Sequence, residues 1–101
     1  MKLYSKESKF NIYKKNAKRR NLDFSLTKDE FYNFINQECY YCGAIPNPYN
    51  GIDRINSAEG YYLDNCVPCC EMCNKMKLDY SKKEWCDHMK KILEHIGEFN
   101  V

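Results

Sequence analysis

The sequence is poor in the features that mark membrane-spanning, fibrous and disordered proteins. It has only 4 glycines and 3 prolines among 101 residues, no long apolar run, and a mean hydropathy of -0.77. These values exclude a membrane span, a collagen-type chain and low-complexity disorder. The length fits one core, because chains usually divide into several domains only well above it. We therefore expect a single globular domain over residues 1–101, with no membrane partner.

A secretion leader is also missing from the first ten residues, where no basic stretch is followed by an apolar one. The 7 cysteines are an odd number, which favours metal binding over a secreted disulfide scaffold. We therefore expect an intracellular protein, in the cytoplasm of a bacterial or virus-infected cell.

The net charge is only +2, but the charge is unevenly distributed. Residues 1–20 carry eight basic side chains and one acidic one, a net charge of +7. Residues 21–101 carry eight basic and thirteen acidic side chains, a net charge of -5. A basic N-terminal helix suits contact with a phosphate backbone, although a solvated lysine-rich surface has the same pattern. The candidate nucleic-acid contacts are Lys14, Lys15, Lys18, Arg19, Arg20, Lys75 and Lys77.

Hydrophobic periodicity and capping residues predict helices at both ends of the chain and a hairpin between them. Apolar residues at helical spacing predict a basic helix from Ser5 to about Arg20, and capping boxes at Thr27 and Ser81 predict two further helix starts. Residues 51–55 and 60–63 flank a turn-forming segment, which predicts a β-hairpin. The predicted fold class is α+β. Its parts are a helical basic segment at 1–38, a core at 39–80 and a C-terminal helix at 81–101.

Two Cys-x-x-Cys pairs, Cys39 with Cys42 and Cys70 with Cys73, are the strongest signal in the sequence. Four thiolates in two such pairs are what a tetrahedral structural zinc site requires. A competing pair begins at Cys66, but its second member directly precedes Cys70, and two adjacent cysteines do not easily aim at one ion. We favour Cys70 and Cys73 because they share one face of a short helix predicted from about residue 69 to 79. The remaining cysteines are interpreted as small buried side chains: Cys66, Cys69 and Cys86.

Two oxygen-bearing side chains lie beside these cysteine pairs. Asp53 is near the end of the first predicted strand, and Asn74 directly follows Cys73. Alone, Asp53 would indicate turn chemistry and Asn74 a solvated helix residue. Because a metal ion on the two cysteine pairs would allow these side chains to face each other, we interpret them together. The Asp53 carboxylate and the Asn74 amide oxygen form a ligand set that Mg²⁺ accepts in hydrolytic sites.

These motifs resemble the HNH (ββα-metal) nucleases, above all the zinc-bearing branch that includes phage recombination endonuclease VII. The resemblance covers about residues 39–80 and depends on the order and spacing of several motifs. The motifs are Cys39-Tyr-Tyr-Cys-Gly, Gly51-Ile-Asp-Arg-Ile, Gly60-Tyr-Tyr-Leu-Asp-Asn65 and Val67-Pro-Cys-Cys-Glu-Met-Cys-Asn-Lys-Met-Lys77.

The resemblance implies structural zinc on Cys39, Cys42, Cys70 and Cys73. It implies a catalytic Mg²⁺ or Mn²⁺ on Asp53 and Asn74, with Asn65 as the central asparagine that braces the loop. The sequence departs from the family at Arg54, which stands where the histidine that deprotonates the attacking water is typical. A guanidinium stays protonated, so Arg54 can contact phosphate but cannot act as a general base. The phenols of Tyr61 and Tyr62 are the alternative candidates for the base.

We therefore expect a zinc-stabilised ββα-metal core, flanked by N- and C-terminal helices, that acts as a Mg²⁺- or Mn²⁺-dependent DNA endonuclease. The alternative is a non-catalytic zinc module that binds DNA or a protein, and Arg54 favours it. The presence of Asp53, Asn65 and Asn74 favours the enzyme, because a binding module has no need for a divalent-ion pair.

Overall fold

The computed structural model describes residues 5–97. They form four helices and one small sheet, and three of the helices begin where a hydroxyl side chain caps the first turn. The bounds are α1 at Lys6–Arg19, α2 at Lys28–Ile35, β1 at Gly51–Arg54, β2 at Cys66–Cys69, α3 at Glu71–Lys77 and α4 at Lys82–Ile96.

The helix starts follow from local chemistry. Thr27 and Ser81 each accept a hydrogen bond from the third helical N–H, and Glu30 and Glu84 bond back to the cap, so both predicted capping boxes are present. Helix α4 ends at Gly97, whose φ of 74° is the left-handed conformation that glycine adopts freely.

The sheet consists of β1 and β2 in antiparallel register, with Gly51 opposite Cys69 and Arg54 opposite Cys66. The predicted hairpin partner for β1, residues 60–63, is therefore wrong. Tyr61 instead makes an isolated bridge to Phe24. All four residues of β2 are buried, so the strand lacks the polar and apolar alternation that would have revealed it.

Helix α3 begins two residues later than predicted. Cys69 still belongs to β2, and Cys70 is the N-cap, whose sulfur accepts a hydrogen bond from the N–H of Cys73. The structure thus gives the adjacent cysteines different environments, one inside a strand and the other at a helix start.

The core has two clusters. In the first, α1 and α2 pack on the sheet through aromatic side chains, with the Phe10 and Phe31 rings edge to face at 5.3 Å. In the second, Trp85 of α4 covers the buried cysteines of the knuckle at residues 39–42 and of α3. Within residues 5–97, no helix is both long and apolar enough to cross a membrane.

Candidate metal cluster and active-site cleft

The structure brings four cysteine sulfurs together at one end of the sheet. The sulfurs of Cys39, Cys42, Cys70 and Cys73 all lie within 4.8 Å of one another. Gly43, with φ of 78°, closes the first pair into a tight turn by donating from its N–H to the Cys39 carbonyl at 2.9 Å. Four thiolates at this separation are a donor set that fits tetrahedral zinc.

The clustered cysteines differ in acidity, because the pKa of Cys39 is lowered whereas burial raises the pKa of Cys73. Burial opposes ionisation of Cys39, but backbone N–H groups, first that of Cys42, lower its pKa to about 6. Burial raises the pKa of Cys66 to about 12, and burial likewise raises the pKa of Cys69. Cys66 and Cys69 are buried as expected, whereas Cys86 is exposed on α4, contrary to the sequence interpretation.

Asp53, on β1, is buried among polar partners. The Tyr41 hydroxyl donates a hydrogen bond to Asp53 Oδ2 at 2.6 Å, and Lys77 Nζ lies 3.0 Å from the same oxygen. Tyr41 belongs to the cysteine knuckle, so the knuckle directly orients this carboxylate. The only sequence signal for Tyr41 is its place between Cys39 and Cys42.

Lys77 was expected among the phosphate contacts, and the structure corrects this placement. Its side chain is 1% exposed and faces Asp53, whose side chain is 8% exposed, instead of solvent. Within residues 5–97, no acceptor is aligned for a hydrogen bond with its ammonium group, so the contact is an ion pair alone.

Asn74, on α3, lies beside β1. Its side-chain Nδ2 donates a long hydrogen bond of 3.4 Å to the Ile52 carbonyl, which directs the amide toward the strand that carries Asp53. The two residues line one cleft of about 310 Å³, to which Arg20 and Tyr61 also contribute. The structure thus places the two residues that the sequence predicts as oxygen ligands on one cleft.

Arg54 and Asn65 both hold the loop between the strands. Arg54 is buried, and its Nη1 donates to the carbonyls of Ser57 at 2.5 Å and Glu59 at 2.8 Å. Asn65 accepts from the Asn56 N–H at 2.9 Å and donates to the Asn56 carbonyl at 3.1 Å and to the Gly60 carbonyl at 2.8 Å. Arg54 also borders the cleft, so one side chain reaches both the loop and the candidate site.

The two candidate general bases are held in their protonated form. Burial raises the pKa of Tyr61, against the nearby charge of Arg54, whose guanidinium lies 5.4 Å from the ring centre. A 2.7 Å hydrogen bond to Asp23 raises the pKa of Tyr62. Neither phenol is ionised near neutral pH in this environment.

The other predicted nucleic-acid contacts lie on the surface. Lys14, Lys15, Lys18 and Arg19 are exposed on α1, and Arg20 follows them at the rim of the cleft, 3.8 Å from Asp79. Lys75 is exposed on α3 and forms an ion pair with Glu71 at 2.8 Å.

No protein-family model matches the sequence. An uncharacterized protein of Acanthamoeba polyphaga mimivirus is 51% identical over 70 residues, which is 68% of this chain and 13% of that protein. The chain therefore spans only a small part of the length of this viral relative.

Among solved structures, the rare-cutting HNH restriction endonuclease PacI is similar to this chain with a TM-score of 0.67. The similarity covers 96% of this chain and 84% of that one, at 22% sequence identity, a level at which the fold is what the two share. This chain therefore has an HNH-like α+β fold, with a four-cysteine cluster placed to hold a metal ion.

Proposed function

We propose that the chain is a divalent-metal-dependent DNA endonuclease that hydrolyses phosphodiester bonds in the cleft between β1 and α3. The observation that carries this proposal is that Asp53 and Asn74 line one cleft in an HNH-like fold. The solved structure with this fold is an HNH restriction endonuclease, which supports DNA as the partner. The viral relative supports an intracellular setting, in an infected cell.

The donor chemistry fits two kinds of metal ion. The four cysteines would hold a structural zinc, which fixes the knuckle against α3. Asp53 and the Asn74 amide oxygen would hold Mg²⁺ or Mn²⁺, which both prefer oxygen ligands. When bound, such an ion polarises the scissile phosphate and stabilises the leaving oxygen.

The other residues would position the DNA. Arg54 has a guanidinium with five N–H donors, and only Nη1 is used by the loop carbonyls, which leaves donors for a phosphate in the cleft. Arg20 would contact phosphate at the rim, and the exposed lysines of α1 would follow the backbone away from the site. Asn65 would act indirectly, by keeping the loop beside the cleft in one conformation.

A second candidate function is DNA binding without hydrolysis. The Lys77 ammonium group neutralises Asp53 in a buried ion pair, and a protonated arginine occupies the position of a general base. Both features favour a module that retains the fold and the basic surface and lacks turnover.

Cleavage of supercoiled plasmid by zinc-loaded protein, with and without Mn²⁺, tests the proposal. We expect nicking that requires Mn²⁺ and a rate at least about a hundredfold lower for the isosteric variant Asp53→Asn, because this change removes the charged ligand. The matched control is Lys90→Met, which removes an exposed charge far along α4 and should cleave normally.

DNA binding separates the two candidates. If the wild-type protein binds DNA with an affinity that falls steeply as salt rises, yet cuts under no divalent-metal condition, the binding module is the correct function. If Asp53→Asn cuts at the wild-type rate, Asp53 is not a ligand of the catalytic ion.

A further inference from the structure

Lys77 is a charged side chain in an unusual position. It is 1% exposed, and its ammonium group has a single short contact, 3.0 Å from Asp53 Oδ2, without hydrogen-bond alignment within the described residues. An ammonium group removed from water is costly unless a negative charge compensates it. Asp53 provides this charge, although the proposed cation also needs it.

Because of the charges around the cleft, Asp53 cannot be the counter-ion of Lys77 and a ligand of a divalent cation at the same time. Ion-paired with Lys77, the carboxylate presents no net negative charge to the cleft, and the neighbouring Arg54 and Arg20 add positive charge. A divalent cation on Asp53 would lie close to the ammonium group, and unit charges at such separations interact strongly in a protein interior. Asp79, which also borders the cleft, is paired with Arg20.

We propose that Lys77 is a built-in counter-ion of Asp53 that competes with the divalent cation, so that the cation binds when the ammonium group leaves Oδ2. This inference depends on the proposed function, since it concerns the cation site of that function. Lys77 would thereby be a positioning residue that sets how tightly the cleft holds its metal.

The end of α3 provides a route for this movement. Lys77 is the last residue of the helix, and the next residue, Leu78, has φ of 51°, a left-handed conformation that is strained for a leucine. Leu78 is also 65% exposed. Opening of the last turn of α3 at this position would relieve the strain at Leu78 and free the Lys77 stem to reach solvent, where its charge is hydrated.

Mn²⁺ binding to zinc-loaded protein, followed by the electron paramagnetic resonance signal of free Mn²⁺, provides the first test. We expect Lys77→Met to bind Mn²⁺ at least about tenfold more tightly than the wild-type protein, because a positive charge next to the ligand is removed. Lys90→Met should bind like the wild-type protein, and Asp53→Asn/Lys77→Met should lose the gain. Equal or weaker binding by folded Lys77→Met overturns the inference, as does an unchanged gain in the double variant.

A second measurement uses the wild-type protein, so it does not depend on the folding of a variant. Amine-reactive labelling followed by mass spectrometry should modify Lys77 much more slowly than the exposed Lys75. Saturating Mn²⁺ should accelerate the labelling of Lys77 several-fold and leave Lys75 as an internal reference. If Mn²⁺ leaves the labelling of Lys77 unchanged or slows it, the ammonium group does not leave Asp53 and the inference is wrong.

The outcomes for the inference and for the proposed function are distinct. Tighter Mn²⁺ binding by Lys77→Met, together with a failure of every variant to cleave DNA, would support the counter-ion and refute the endonuclease. Mn²⁺-dependent cleavage by the wild-type protein, with no change in Mn²⁺ affinity on removal of Lys77, would support the endonuclease and refute the counter-ion.

Discussion

Some residues of the candidate site could be predicted from the sequence, and others could not. The shared cleft of Asp53 and Asn74 was predictable, because Asn74 directly follows Cys73 and Asp53 lies on a strand between the two cysteine pairs. The role of Lys77 was not predictable, because a lysine at a helix end is almost always solvated, and only the tertiary structure shows its burial against Asp53. Tyr41 was missed for the same reason, since its hydroxyl meets a carboxylate 12 residues away.

The buried ion pair of Asp53 and Lys77 allows a prediction about stability. Asp53→Ala should lower the free energy of unfolding by about 3–5 kcal/mol, because it leaves the Lys77 ammonium group buried without its counter-charge. Urea unfolding of the zinc-loaded variants measures this cost. Asp53→Asn/Lys77→Met, which removes both charges, should be more stable than Asp53→Ala, and a less stable double variant would contradict the ion-pair assignment.

Tyr61, which lines the cleft, and its neighbour Tyr62 allow a prediction about the general base. Because the pKa values of Tyr61 and Tyr62 are both raised, neither phenol is available to accept a proton from water. Tyr61→Phe and Tyr62→Phe should therefore lose far less than the hundredfold or so that follows removal of a general base. Plasmid cleavage rates as a function of pH provide the measurement. A loss of that size in either variant, with its fold intact, would identify that phenol as the base.

At the scale of whole elements, prediction succeeded where local chemistry alone determines the structure. The capping boxes at Thr27 and Ser81 correctly located two helix starts, because their hydrogen bonds involve residues only three apart. Strand β2 was missed because it is buried along its whole length and contains Pro68. Proline is tolerated there because both strands of a two-stranded sheet are edges.

The contact between α1 and β1 allows a prediction about packing. The Tyr13 hydroxyl accepts a hydrogen bond from the Ile52 N–H at 3.1 Å and lies directly against Gly51, where an added Cβ would overlap the oxygen. Gly51→Ala should therefore destabilise the protein by about 1–3 kcal/mol. Thermal unfolding measures this cost when Gly51→Ala is introduced into the wild-type protein and into the Tyr13→Phe variant. A substitution that costs as much without the Tyr13 hydroxyl as with it would show that the overlap lies elsewhere.

The whole molecule depends on the cysteine cluster to join its parts. The knuckle and α3 contribute the four sulfurs, and Trp85 of α4 packs beside Cys39 and Cys73 in the second core cluster. This cluster has few apolar residues of its own, so a metal ion on the four sulfurs would supply much of its stability. The spacing of the cysteines predicted that the four sulfurs lie together, but not the way that α4 covers them.

Zinc removal should therefore unfold the chain. A strong chelator should abolish the near-UV circular dichroism and shift the fluorescence of Trp85, the single tryptophan, to longer wavelength. Restoring zinc in excess of the chelator should reverse both changes. Retention of the native spectrum after verified metal loss would show that the apolar clusters suffice for folding.

Helix α3 has only seven residues, and it faces two neighbours at once. Cys73 belongs to the sulfur cluster, whereas Asn74 contacts Ile52 and Lys77 contacts Asp53, both on β1. Inserting or deleting one residue would rotate every later side chain by about 100° and break both arrangements together. Changes to the cleft that keep both arrangements are thus substitutions within a helix of fixed length, or changes in the loop that Arg54 and Asn65 secure.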